Sequence, residues 1–179
     1  MLVSSKLLNN MKAILFILIM ITSQGCQSEE KRLKVDSLQK PEELKLFVES
    51  GASKKNQKLA EKQYKHAVKK KMNNDWAAAS KAFAELTLHY PTAKSLVGLS
   101  EAKANFYTQI RFGDKAAIKT LEEIEKYLKG AIAVDSIQKK MTQSETKEVN
   151  NDIACIEEFL KSRVKKDNCK YVNYVYQEQ

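Results

Sequence analysis

Two prolines and five glycines are all that punctuate 179 residues, so the chain has to build from long, uninterrupted elements. A sandwich or barrel needs a tight turn roughly every ten residues, and the residues for such turns are missing. Hydrophobic residues make up 43% and charged residues 30%, which is enough apolar surface to close a core and too much for a disordered tail. The reading is all-α, and the apolar spacing supplies it helix by helix.

Pro41-Glu42-Glu43 forms a first turn, with proline at N1 and acids on the positive end of the helix dipole, closing near Ser50-Gly51. From Asn56 to Met72, Ala60, Tyr64, Ala67 and Val68 share one side. A second long helix starts at Asp75, capped by Asn74 or Asp75. Its Trp76, Ala79, Phe83, Leu86 and Tyr90 fall within an arc of about 80° at ~100° per residue, and Pro91 stops it. Leu96, Leu99, Ala102, Phe106 and Ile110 mark a third, broken at Phe112-Gly113-Asp114. Ala117, Leu121, Ile124, Leu128, Ala131 and Ile132 mark a fourth, ending around Asp135-Ser136. Thr142-Gln143-Ser144-Glu145 is a capping box and opens a fifth, whose buried side holds Val149, Ile153, Ile156, Leu160 and Val164. The tail, with Tyr171, Val172, Tyr174, Val175 and Tyr176, is aromatic and β-branched and suits a short strand or an irregular cover.

The N-terminal region has a different character. Ala13 to Ile21 is an unbroken run of nine apolar residues after Lys12, followed by Thr22-Ser23-Gln24-Gly25 and Cys26. Nine helical residues reach about 14 Å, roughly half a bilayer's hydrocarbon core, so this is a signal h-region and not a span. Met11-Lys12 would open a complete leader alone, with residues 1–10 an upstream start or an extended n-region. Gly25-Cys26 resembles the lipobox of bacterial lipoproteins, in which the cysteine takes a diacylglycerol and becomes the mature N-terminus. Ser23 and Gln24 stand where that family has Leu and then Ala or Ser. Ser23-Gln24-Gly25 also satisfies the small-x-small rule of ordinary signal peptidase, and both routes cut the same bond. Gln27-Ser28, with no Asp after the cysteine, resembles lipoproteins sorted to an outer membrane. The expected location is the periplasmic face of a membrane, with the N-terminal lipid as the membrane partner.

Of three cysteines, Cys26, Cys155 and Cys169, a lipidated Cys26 leaves two that can pair in an oxidising compartment. A Cys155–Cys169 bridge would close a loop of about 15 residues.

Asn74-Asp75-Trp76-x-x-Ala79-x-x-x-Phe83-x-x-Leu86-x-x-x-x-Pro91 resembles the second helix of a tetratricopeptide repeat. A small residue at Ala79 admits the partner helix, Trp76 and Phe83 fill the space beside it, and Ala67 takes the small position of the first helix. A second unit follows with Leu99 and Ala102, then Leu121, Ile124, Leu128 and Ala131. It departs from the pattern in having Ser136 where proline is usual and a longer turn at 111–116. The resemblance implies antiparallel helix pairs in a short solenoid, with units at about 60–91 and 94–136. Fewer than three repeats rarely stand alone, so the helices at 41–50 and about 142–165 act as caps. The expected organisation is a signal peptide over 1–25, a lipidated N-terminus and flexible tether over 26–40, a helical domain over 41–165 and a tail over 166–179.

The net charge is +9, and loss of Lys6 and Lys12 with the leader lowers it only to +7. The excess is lysine; Arg32, Arg111 and Arg163 are the only arginines, which argues against sequence-specific nucleic-acid binding. Lys54, Lys55, Lys58, Lys62, Lys65 and Lys69 fall in roughly a 100° arc opposite Tyr64 and Ala67. The candidate binding residues are Tyr64, Lys62, Lys65, Lys69 and Lys71. His66 and His89 lack companions at metal-ligand spacing, no phosphate loop, nucleophile elbow or HExxH helix is present, and neither catalysis nor a metal or other cofactor is expected. The leading functional expectation is a tethered adaptor that receives a protein or peptide of an envelope assembly (pilus, secretion or outer-membrane machinery). The rivals are a binder of anionic peptidoglycan or lipopolysaccharide through the lysines, and an immunity or regulatory subunit for one partner.

Overall fold

The computed structural model describes residues 32–51, 57–110 and 113–176. The expected leader, Cys26, Lys54, Lys55 and Phe112 lie outside them. The described chain is all-helical. After a short 3-10 turn at Val35–Gln39 come α1 (Pro41–Glu49), α2 (Gln57–Met72), α3 (Trp76–His89), α4 (Ala93–Ile110), α5 (Asp114–Gln138), α6 (Gln143–Ser162) and α7 (Lys170–Val175).

The helix ends obey the local chemistry. Pro41 occupies the first turn of α1. Asp75, not Asn74, caps α3 by accepting from the Ala78 N–H at 3.2 Å. The Thr142–Glu145 box at α6 is complete in both directions.

From α2 to α6, each helix packs on the next as an antiparallel hairpin, as their contacts at matched distances from each turn show. Tyr64 of α2 meets Phe83 of α3 edge-on, with centroids 5.9 Å apart. Thr87 of α3 donates to Ser95 of α4 at 3.0 Å, Lys103 of α4 pairs with Glu123 of α5 at 2.6 Å, and Lys129 of α5 pairs with Glu157 of α6 at 2.7 Å. Ala67 and Ala79 are fully buried, which brings the α2 and α3 backbones together. Phe83, Leu86, Leu121, Ile124, Leu128 and Ala131 are buried, as is Pro91, and Trp76 packs partly buried against the core that holds Phe83 and Ala131.

The 25-residue α5 is the spine. One face (Ala117, Leu121, Ile124, Leu128) joins a core shared with α4, α6 and α7, and the adjoining face (Tyr127, Ala131, Val134) joins one shared with α1 to α4. Two glycines set close approaches. A Cβ on Gly98 would stand 2.6 Å from the Phe83 ring, and one on Gly130 would stand 2.7 Å from Leu44 Cδ1, so α4 receives an aromatic plug and α5 receives α1.

Four expectations are corrected. Residues 32–40, assigned to the tether, belong to the folded body: the Leu33 N–H donates at 2.9 Å to the Leu88 carbonyl, one of the acceptors a helix end leaves open, and Leu38 is buried. The tail after 166 is neither strand nor irregular cover but the helix α7. Tyr171, Val172 and Val175 fall on one buried helical face, where packing overrides β propensity. The fourth predicted helix runs on to Gln138 before Lys139 turns left-handed. Val164 is 60% exposed, because α6 ends at Ser162 and Arg163 takes a positive φ; Phe159 fills the core position instead.

Candidate functional site

The first helices of successive hairpins, α2, α4 and α6, line a groove of about 510 Å³ that α7 closes at one end. Its floor is apolar. Tyr64 and Val68 come from α2, Val97 from α4 and Val149 from α6, and the Phe83 ring reaches it from behind over Gly98. From Tyr64 and Met141 the surface continues into a second, more apolar depression edged by Ala60 and Leu86.

The groove walls carry charge. Glu101 of α4 is bonded by Lys71 of α2 and, at 3.1 Å, by Lys170 of α7, so one carboxylate ties three helices together. Burial pushes the Glu101 carboxyl up, but the bonds and charges of the two lysines outweigh it and hold it below the usual range. Lys170 is correspondingly raised: burial opposes its charge, and Glu101 overcomes that. On α6, burial pushes Asp152 up from 3.8 to about 6; the Lys170 charge opposes this rise, while Glu148 and Glu101 add to it. Desolvation also raises the Tyr64 and Tyr171 hydroxyls, Tyr171 the more strongly.

Cys155 of α6 and Cys169, at the head of α7, form a disulfide with Cα atoms 5.6 Å apart. The bridge sets the start of the tail helix, and the next two residues, Lys170 and Tyr171, enter the groove.

The candidate binding residues separate. Tyr64 and Lys71 meet in the groove. Lys62, Lys65 and Lys69 are exposed; Lys65 edges the second depression, and Lys62 borders a shallow hollow with His66 and Lys81 on the far side of α2. Glu101, Glu148, Asp152 and Lys170 were not singled out from the sequence. Glu145, Glu148 and Asp152 were legible as one stripe beside Val149 at helical spacing. Glu101 and Lys170 are 69 residues apart and meet only through the fold.

Among the described residues there is no cluster of three or more His, Cys, Asp or Glu side chains able to hold a metal, and no helix long and apolar enough to cross a membrane. Comparison of the chain with protein-family models, with curated proteins and with solved structures gives no match.

Proposed function

We propose that this protein is a membrane-tethered, tetratricopeptide-like adaptor that holds a protein segment of a bacterial envelope assembly, such as a pilus, secretion or outer-membrane machine. The observation that carries the reading is the groove: apolar side chains from α2, α4 and α6 line it together with charged ones of both signs. Successive first helices on one face and second helices behind are what stacked helical hairpins present to an extended ligand. The small-and-aromatic packing of Ala67, Ala79 and Phe83 at the α2–α3 seam suits that repeat. Tethering rests on the sequence alone, through the apolar run at 13–21 and Gly25-Cys26.

A photo-crosslinking amino acid placed at the groove-lining positions Met72 or Lys94, in cells, is expected to give a discrete protein adduct. The same residue at exposed Lys126 on α5 gives none. Adducts with glycan in place of protein, or equal labelling at all three positions, refute the adaptor.

One observation favours a second reading. Lys62, Lys65 and Lys69 are exposed and have no carboxylate partner among the described residues, which suits an anionic peptidoglycan or lipopolysaccharide chain. Retention on such polymers that is lost in high salt supports it; protein capture that survives high salt supports the adaptor.

A further inference from the structure

Basic residues outnumber acidic ones by 31 to 22, yet α6 presents Glu145, Glu148 and Asp152 to the groove within about two turns. Glu145 is occupied: it accepts from the Thr142 N–H at 2.7 Å and stands 4.0 Å from Lys94. Glu148 and Asp152 have no hydrogen bond or ion pair among the described residues. They are four apart on one helical face, where like charges repel. Asp152 is also partly buried. Lys71 and Lys170 of the groove are both bonded to Glu101, and the Lys170 charge acts on Glu148 and Asp152 without pairing with either. An unpaired, partly desolvated carboxylate beside a second one leaves a local demand for positive charge.

Apolar surface adjoins this demand. Val97, Tyr64 and Val149 line the same groove, and the trough continues past Tyr64 and Met141 toward Ala60 and Leu86. A small cation would neutralise the carboxylates and leave the apolar floor wet. Phosphate-rich polymers and anionic lipid surfaces would meet two carboxylates. A peptide bearing a cation and an apolar side chain answers both features along the trough's length.

The geometry points to a cationic amphipathic segment of a partner protein as the occupant: its Lys or Arg lies between Glu148 and Asp152, and a neighbouring apolar side chain sits over Tyr64, Val97 and Val149. This rests on the adaptor reading and fixes the partner's chemistry.

The test is selection of a displayed library of random 12-residue peptides on the full chain in detergent micelles, run in parallel on wild type, an E148Q/D152N double variant and a D152E variant. On wild type and D152E, Lys plus Arg should be enriched about threefold or more at one position, at a fixed spacing from an apolar residue. On E148Q/D152N that enrichment should disappear while the apolar preference remains. Circular dichroism melts establish that the double variant is folded, and an E148K variant, expected to select Asp or Glu at the same position, provides an independent reading. Selected peptides with an apolar preference and no cation would overturn the inference and leave the adaptor standing. No selected binders at all would overturn both. A dimer of the wild type that disperses in E148Q/D152N would assign the groove to a second copy of this chain and overturn the inference as well.

Discussion

Replacing Asp152 by Asn should make the protein more stable at neutral pH and a poorer binder. The side chain is partly buried on α6, without a hydrogen-bond or ion-pair partner among the described residues, and its carboxyl is pushed from 3.8 to about 6, first by burial and then by Glu148 and Glu101 against the opposing charge of Lys170. At 1.36 kcal/mol per pH unit, a rise of that size corresponds to ~3 kcal/mol at most. Water still reaches the group, and solvent screening reduces the net penalty to roughly 1 kcal/mol. Below about pH 4 folded and unfolded chains both hold the proton, so wild type and Asp152→Asn should melt together. Between there and about pH 6 the unfolded chain has released its proton while the folded chain retains it, and wild type loses stability as pH rises. Above pH 6 the whole penalty is present, and the variant should melt about 2–4 °C higher. Thermal unfolding followed by circular dichroism at pH 4, 5, 6 and 7.5 measures this. A variant that is less stable at neutral pH, or one whose gain is the same at pH 4 as at 7.5, refutes the argument that ionised Asp152 is strained in the folded state.

The remaining predictions test other parts of the structure. Cys169→Ser should lower stability by about 3 kcal/mol through loss of a cross-link 14 residues apart in sequence, and reductant should lower the wild-type melting temperature while leaving the variant's unchanged. Gly98→Ala places a methyl 2.6 Å from the Phe83 ring and should cost about 1–3 kcal/mol in a denaturant melt. Gly130→Ala should cost less, because it meets the flexible end of Leu44. Cys26→Ser should abolish incorporation of an alkyne-labelled fatty acid, detected by gel fluorescence; undiminished labelling removes the tether.

The helices were legible because each long segment repeats apolar residues at one spacing and is bounded by local chemistry. Asp75, Pro91 and the Thr142–Glu145 box act within four residues of the ends they set, so sequence alone locates them. The tail misled because Tyr171, Val172 and Val175 suit a strand by residue type and a helix by spacing. The choice was made by the Cys155 bridge and by packing on α6 and on α4, the latter remote in sequence. Leu33 and Leu38 misled for a similar reason: with Val35 they are isolated apolar residues in a polar stretch and carry no period, Leu33 is held by the Leu88 carbonyl near the end of α3, and Leu38 packs into the core. Of the groove, Tyr64 and Lys71 were anticipated. The Glu101 bridge was not, since ion pairs between residues 30 and 69 positions apart leave no trace in local pattern.

The same bridge explains why a short helical stack carries a deliberate tail. Helix α7 packs against α4, α5 and α6 and buries Tyr171, Val172 and Val175 there. Its Lys170 then makes Glu101 a three-helix junction with Lys71. Replacing Lys170 by Met should therefore do more than loosen one contact. It leaves a partly buried Glu101 with one lysine instead of two, so the Glu101 carboxyl should rise, and the neighbouring Asp152 should lose the cation whose charge tempers its own rise. The disulfide and the apolar cover of α7 both stay. If Lys170→Met and wild type show the same stability profile between pH 4 and 7.5, the tail acts only as a covalent and apolar cover. If Lys170→Met steepens the loss of stability as pH rises over that range, Lys170 is the charge that lets the groove hold its acids.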